Sequence, residues 1–95
     1  MCGLTPLHHA AWYGRKDVVQ LLLDRGAVPN MANQYGGTPL HSAALGGHKD
    51  VVQLLLDRGA KPNMRILDGA TPLSLALQNS HMDTANILTE NGGTV

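Results

Sequence analysis

The sequence predicts an all-α solenoid of three helix-turn-helix repeats, and three observations support this fold class. Residues 38–60 read TPLHSAALGGHKDVVQLLLDRGA, and residues 5–27 carry nearly the same text 33 residues earlier. A third, more divergent copy begins at Thr71, another 33 residues along the chain. In the middle copy, apolar residues at helical spacing lie on both sides of a Gly-Gly pair, as two short helices joined by a turn require. A fixed period of this length is typical of repeats that stack to bury one continuous core.

The first helix of the middle copy is predicted to begin after Thr38 and to end at Gly46 and Gly47. Threonine is a good N-cap, because its hydroxyl can accept from an otherwise unpaired amide, and Pro39 suits the first helical position. Glycine accepts the left-handed conformation that a tight helix end requires. Two alanines, Ala43 and Ala44, lie on the apolar face. This face is therefore thin, and a neighbouring helix can approach it closely.

The second helix is predicted to run from Lys49 or Asp50 to Arg58. An acidic residue in the first turn and a basic residue in the last both complement the helix dipole. Its apolar residues cover more of the circumference than the stripe of a surface helix does: Val51, Val52, Leu54, Leu55 and Leu56. A helix of this kind is expected to be packed on several sides. Gly59 and Ala60 then lead into residues 61–70, which are polar and turn-like. Asn63, like Asn30 one repeat earlier, is expected to close this turn by local hydrogen bonds.

The three copies differ in a directed way, which predicts repeats at residues 1–32, 33–65 and 66–95. Copies one and two differ at six of the 29 aligned positions from Gly3 to Met31, and none lies in the VVQLLL segment. In the third copy, Thr84, Asn86 and Thr89 replace two aliphatic residues and a glutamine. A terminal repeat is expected to present a more polar outer side to water, so the third copy is interpreted as a C-terminal cap.

The first copy shows no such conversion to polar residues. Its Val18, Val19 and Leu22 are apolar, like the residues of an internal repeat that a preceding repeat covers. The chain is therefore expected to be a piece of a longer protein or a minimal engineered stack. An apolar patch of this kind tends to recruit a second molecule, so weak self-association through the N-terminal repeat is also predicted.

Composition and charge exclude several classes of protein. Seven basic and seven acidic residues cancel, which argues against a nucleic-acid or anionic-membrane partner. No apolar run approaches the roughly 18 residues of a membrane span. Cys2 is the only cysteine and cannot pair within the chain. The sequence thus predicts a soluble intracellular, cytoplasmic domain.

The repeated text resembles the ankyrin repeat, through TPLHHAA and TPLHSAA, through Gly14 and Gly47-His48, and through VVQLLLDRGA followed by Pro-Asn. The resemblance implies that each connection between repeats forms a short hairpin-like finger projecting at right angles to the helices. It also implies that His8 and His41 hydrogen-bond to the preceding threonine and across to the neighbouring finger. A metal site at these histidines is the alternative, but no cysteine or carboxylate stands at a zinc-ligand spacing from them.

Catalytic motifs are missing from the sequence. It contains no nucleophile elbow, no glycine-rich phosphate loop and no HExxH. The aspartates at positions 17, 50 and 83 recur every 33 residues, which favours three helix caps over one catalytic group. The sequence therefore predicts a protein that is not an enzyme and uses no cofactor or metal.

The aromatic residues point to a binding surface. Trp12, Tyr13 and Tyr35 are the only aromatic residues, and all fall where the ankyrin pattern is variable. The resemblance implies that these positions line a concave surface that binds other proteins. Six further residues occupy corresponding places: Gln34, Leu45, Leu67, Asp68, Gln78 and Asn79. The predicted function is a non-catalytic protein-protein interaction module. Two alternatives stay open: Trp12 could merely cover the N-terminal edge, and the chain could be a structural segment with no partner of its own.

Overall fold

The fold is a stack of paired helices, described by a computed structural model over residues 5–95. Cys2 and the other residues before Thr5 lie outside the described part, as does the start of the first predicted repeat. Six helices and no strand occur in the described residues. Repeat one contains α1 (Pro6–Trp12) and α2 (Lys16–Asp24), repeat two α3 (Pro39–Gly46) and α4 (Lys49–Asp57), and repeat three α5 (Pro72–Gln78) and α6 (Met82–Glu90). The predicted all-helical repeat fold is confirmed.

Local chemistry sets the start of the first helix in every repeat, and the end of the first helix in repeat two. Thr5, Thr38 and Thr71 are N-caps with complete capping boxes, and a proline follows each of them. Such a box satisfies two backbone amides that the helix leaves without an intrahelical partner. At the other end, Gly47 has φ 71°, the left-handed conformation predicted for the helix stop.

The helices form two layers. In one layer α1 packs on α3 and α3 on α5, and in the other α2 packs on α4 and α4 on α6. The core between the layers is aliphatic and rich in alanine, with Leu7, Leu40, Val52, Leu55 and Leu88 among its fully buried members. Ala11 and Ala44 are completely buried, which fits the close helix approach expected of a thin apolar face.

Fingers connect the repeats: finger one comprises residues 28–37 and finger two residues 61–70. Each tip is a tight turn closed by backbone hydrogen bonds, from Asn33 N–H to the Gly37 carbonyl (2.8 Å) and from Ile66 N–H to the Ala70 carbonyl (3.0 Å). The tips are also joined to each other, because Leu67 N–H donates to the Tyr35 carbonyl at 2.9 Å.

Histidines tie each repeat to the next. The Nδ1 atom of His8 accepts from the Thr5 backbone, so its Nε2 carries the proton and donates to the Gly37 carbonyl at 2.8 Å. His41 makes the same pair of bonds, with Nε2 at 3.3 Å from the Ala70 carbonyl. The geometry implied by the resemblance for these two histidines is therefore present.

A second set of histidine bonds runs in the opposite direction along the chain. His48 Nε2 lies 2.8 Å from the Trp12 carbonyl, and His81 Nε2 lies 3.0 Å from the Leu45 carbonyl. Each of these rings sits just before a second helix and reaches back to the end of the preceding repeat's first helix. Helices α1 and α3 are thus each bonded to the following part of the chain near both of their ends.

Two sequence expectations are corrected. Asn30 acts between repeats and not locally, since its amide donates to the Gly59 carbonyl (3.0 Å) and accepts from Lys61 N–H (2.8 Å). Asn63 forms the equivalent bonds with Gly92 and Thr94. The residues after α6 therefore run as the first residues of finger two do.

The second correction concerns the polar residues of repeat three. Thr84 is 1% exposed and does not lie on the outer side, because its helix position faces repeat two, as Val51 faces repeat one. Asn86 and Thr89 are exposed, and the Thr89 hydroxyl donates to the Ala85 carbonyl of its own helix at 2.9 Å.

The outer face of repeat one is apolar and partly open. Val18 is 41% exposed, whereas its equivalent Val51 in repeat two is 1% exposed. Val19, also expected to need cover, is completely buried within the stack, and Leu22 is half-buried. The open apolar residues of this N-terminal face are Val18, Leu21, Val28 and Met31.

Candidate protein-binding groove

A groove of about 580 Å³ runs along the side of the stack where the first helices end and the fingers project. All three repeats contribute to its wall. The lining residues are His8, His9, Trp12, Tyr13, Asn33, Tyr35, Gly37, His41, Ser42, Leu45, Ile66 and Leu75. Because the wall crosses the repeats, the shape of the groove depends on the stacking described above.

The three aromatic residues of the chain meet in this groove. Trp12 is the last residue of α1, Tyr13 is its C-cap, and Tyr35 lies at the tip of finger one. Their exposed fractions lie between 47% and 60%. The Tyr13 ring is supported from one side by His9, with the ring centroids 4.8 Å apart. Large aromatic surface left open in a concavity is typical of binding sites.

Finger one holds Tyr35 through its backbone. The Asn33 side-chain oxygen accepts from the N–H groups of both Tyr35 and Gly37, each at 2.9 Å. Asparagine often organises tight turns in this way. The Tyr35 carbonyl accepts from Leu67 of finger two, so the neighbouring finger braces the same residue. The tyrosine ring is therefore presented from a fixed backbone.

The groove is uncharged. Among the residues that the structure describes, no Asp, Glu, Lys or Arg belongs to its lining. Burial lowers the pKa of His41, although its bond to the Ala70 carbonyl opposes this effect. This ring is thus a neutral structural donor, and the exposed wall offers apolar contact with a few neutral polar groups such as the Ser42 hydroxyl.

Four of the predicted site residues line this groove: Trp12, Tyr13, Tyr35 and Leu45. Five others are exposed but lie outside its lining: Gln34, Leu67, Asp68, Gln78 and Asn79. Two of these five side chains form hydrogen bonds with nearby backbone groups. Asp68 accepts from Ala70 N–H at 3.0 Å, and Asn79 donates to the Leu75 carbonyl at 2.8 Å.

Eight lining residues were not assigned to the site from the sequence: His8, His9, Asn33, Gly37, His41, Ser42, Ile66 and Leu75. His8, Gly37 and His41 take part in the hydrogen bonds between repeats. The other five belong to two repeat positions. The residue after the TPLH histidine or its serine equivalent is His9, Ser42 or Leu75, and Asn33 and Ile66 are equivalent finger residues. The signal that could have found them is their variation from copy to copy beside residues that do not vary.

Two further features are missing from the described residues. Over residues 5–95, no helix is long and apolar enough to cross a membrane. The same stretch contains no group of three or more His, Cys, Asp or Glu side chains arranged to hold a metal ion.

Comparison with known proteins bears on the family. A stretch of 33 residues, 35% of the chain, is 54% identical to part of the transient receptor potential cation channel subfamily A member 1 homolog of Caenorhabditis elegans. The matched stretch is 3% of that protein's length, so the chain corresponds to a small part of it. The family model for ankyrin repeats, in three copies, matches residues 7–95. Together with the paired helices, the capping boxes and the fingers, this match shows that the chain belongs to the ankyrin repeat family.

Proposed function

We propose that this chain is a non-catalytic module that binds a partner protein through the aromatic groove. Ankyrin repeats are generic protein-protein interaction modules, and the aromatic groove would be the binding surface of this chain. The observation that carries it is the position of Trp12, Tyr13 and Tyr35. An otherwise aliphatic protein places every aromatic residue on one open, concave wall.

The energetics of interfaces support this choice of surface. Binding hot spots are enriched in Trp and Tyr, which offer large rigid contact area with a polar group at one end. The groove has no charged lining in the described residues, so a charged partner side chain buried there would lose hydration without gaining an ion pair. The partner is therefore expected to insert an apolar or aromatic side chain between Trp12 and Tyr35.

The test compares affinity and stability in the same variants. A partner is first isolated by affinity purification, and its affinity is then measured for the parent chain and for Trp12→Ala and Tyr35→Ala. Truncating a hot spot costs about 2 kcal/mol or more, so each variant should lose at least about tenfold in affinity. Because both side chains are substantially exposed, the free energy of unfolding should change by about 0.5 kcal/mol or less. Leu21→Ala, an exposed leucine of α2, is the matched control and should change the affinity little.

Three results would contradict this function. A large fall in the denaturation midpoint of Trp12→Ala would mean that this residue packs the edge of the stack. An unchanged affinity in both variants would place the partner elsewhere. If no partner binds saturably, the chain is a structural segment of an array, the alternative left open by the sequence.

Weak self-association through the N-terminal face is a second proposal, favoured by the exposure of Val18 and Leu21. The association should be concentration-dependent in analytical sedimentation and should decrease in Val18→Glu, because burying a carboxylate in an apolar contact costs its hydration. A strictly monomeric parent chain at high concentration would refute it.

A further inference from the structure

The N-terminal face of the stack exposes apolar side chains of α2 whose equivalents in α4 are buried or half-buried between repeats. Val18 and Leu21 of α2 are 41% and 50% exposed, whereas Val51 at the equivalent place in α4 is 1% exposed. The structure shows what covers Val51, because α2 and α1 of the preceding repeat pack against repeat two. The interior thus provides a template for what fits the N-terminal face.

We infer that the N-terminal face is a stacking site for one further ankyrin-type repeat, and that the outer face of repeat three is closed to one. The inference does not depend on the proposed groove function, since it concerns the ends of the stack. The occupant is a helix pair that presents small residues, as Ala11 and Ala44 do at the interior interfaces, where both are completely buried.

Charged and polar groups on the N-terminal face match such an occupant. Arg58 of repeat two forms an ion pair with Asp24 of repeat one, and Arg25 stands at the position of Arg58 in repeat one. Arg15 likewise stands at the position of His48, which lies within hydrogen-bond distance of a first-helix carbonyl of the preceding repeat. A stacked repeat would offer both a carboxylate and a helix-end carbonyl to these arginines.

The outer face of repeat three is blocked where repeats approach most closely. A Cβ atom on Gly47 would lie 2.5 Å from the His81 ring of the next repeat, and one on Gly14 would collide with the His48 ring. Ser80 occupies the equivalent position in repeat three and keeps the left-handed conformation, with φ 59°. Its side chain fills the space that the ring of a following repeat would need.

A second side chain obstructs the same face. Leu77 stands at the position of Ala11 and Ala44, which are completely buried between repeats, and it is 41% exposed. In the second helix of repeat three, Thr89 replaces the leucine of the other two repeats, Leu23 and Leu56. A bulkier residue at the point of close approach and a polar one in place of an aliphatic one both oppose stacking. A second copy of the chain added head to tail would meet the same obstacles, which is why self-association is expected to be weak.

The experiment adds a repeat to either end of the full chain. In the N-terminal fusion, a copy of residues 38–70 directly precedes Thr5, which keeps the 33-residue register. Covering the aliphatic side chains of α2 should lower the unfolding equilibrium constant at least about tenfold. Helical circular dichroism should rise by about a third, since each repeat supplies two of the six helices.

The C-terminal fusion carries residues 63–70, which complete the finger, and then residues 38–70 after Val95. It should leave the unfolding equilibrium constant unchanged, with the added repeat open to proteolysis. Replacing Leu77 by Ala and Ser80 by Gly in this fusion should restore the stabilisation and the protection.

The inference is overturned by any of three outcomes. The first is an equal gain from both unmodified fusions, and the second is no gain from the N-terminal fusion. The third is a tight dimer of the parent chain that the N-terminal fusion abolishes, which would make a second copy the occupant. Failure of the Leu77 and Ser80 replacements to rescue the C-terminal fusion would refute the role assigned to those side chains.

Discussion

A single methyl group at Gly47 tests how the repeats are held together. Gly47 ends α3 with φ 71°, and the His81 ring of the next repeat passes directly over it. The ring reaches the Leu45 carbonyl at 3.0 Å by this route. Gly47→Ala should therefore disturb the backbone conformation of one repeat and the contact between two repeats at once.

The expected loss has two parts. An L-residue in the left-handed conformation costs roughly 1–2 kcal/mol relative to glycine. The added Cβ would lie 2.5 Å from the imidazole, so the ring must move, and a lost hydrogen bond costs about 0.5–1.5 kcal/mol. Gly47→Ala should thus lower the free energy of unfolding by about 2–3 kcal/mol. This is a large fraction of the total for a domain of this size, about 5–14 kcal/mol.

Gly59→Ala is the matched control, because Gly59 has φ 97° and a Cβ there would meet no heavy atom within 4 Å. It should cost only the backbone part. Urea denaturation of both variants, and of Gly47→Ala combined with His81→Ala, separates the contributions. In the His81→Ala background, Gly47→Ala should cost only about 1–2 kcal/mol. Equal losses at both glycines, or an undiminished loss without the imidazole, would refute the reasoning.

Two further predictions concern the stability of the stack. Burial lowers the pKa of His41 below its ordinary value of 6.5, so the unfolded chain binds this proton more readily than the folded chain. The free energy of unfolding should therefore fall as the pH drops below about 6.5, and His41→Gln should flatten this part of the profile; an unaltered slope in urea titrations would contradict it. Amide exchange should be faster over residues 83–94 than over residues 51–56, because repeat three has a neighbour on one side only. Equal protection of the two stretches would show that the stack unfolds as one unit.

Helix boundaries were predictable from the sequence because they depend on neighbouring residues. The N-cap Thr38, the following proline and the left-handed Gly47 act within a few residues of the chain, and the structure has them as predicted. The repeats also supported each other's predicted boundaries, since the TPL sequence stands at the start of a first helix three times.

Contacts that depend on the offset between repeats were not predictable in the same way. The role of Asn30 was expected to be local, because asparagine commonly closes turns, but its partners lie 29 and 31 residues away. The burial of Thr84 depends on the rotation of α6 against α4, which an apolar pattern covering most of a helix does not define. The groove residues at positions 9 and 33 were likewise missed, since their side chains meet only once fingers and helices are in place.

The bonds that fix the groove explain why its side chains can vary from repeat to repeat. His48 lies beside the carbonyl of Trp12, and His81 beside the carbonyl of Leu45, so neither bond involves the side chain that lines the wall. Tyr35 is held in the same way, through its N–H and its carbonyl. Each of these positions is thus fixed by backbone atoms that any non-proline residue provides. A change of side chain there alters the surface of the groove and leaves the bonds between repeats intact. Under the proposed function, binding specificity and stability therefore reside in different atoms of the same residues.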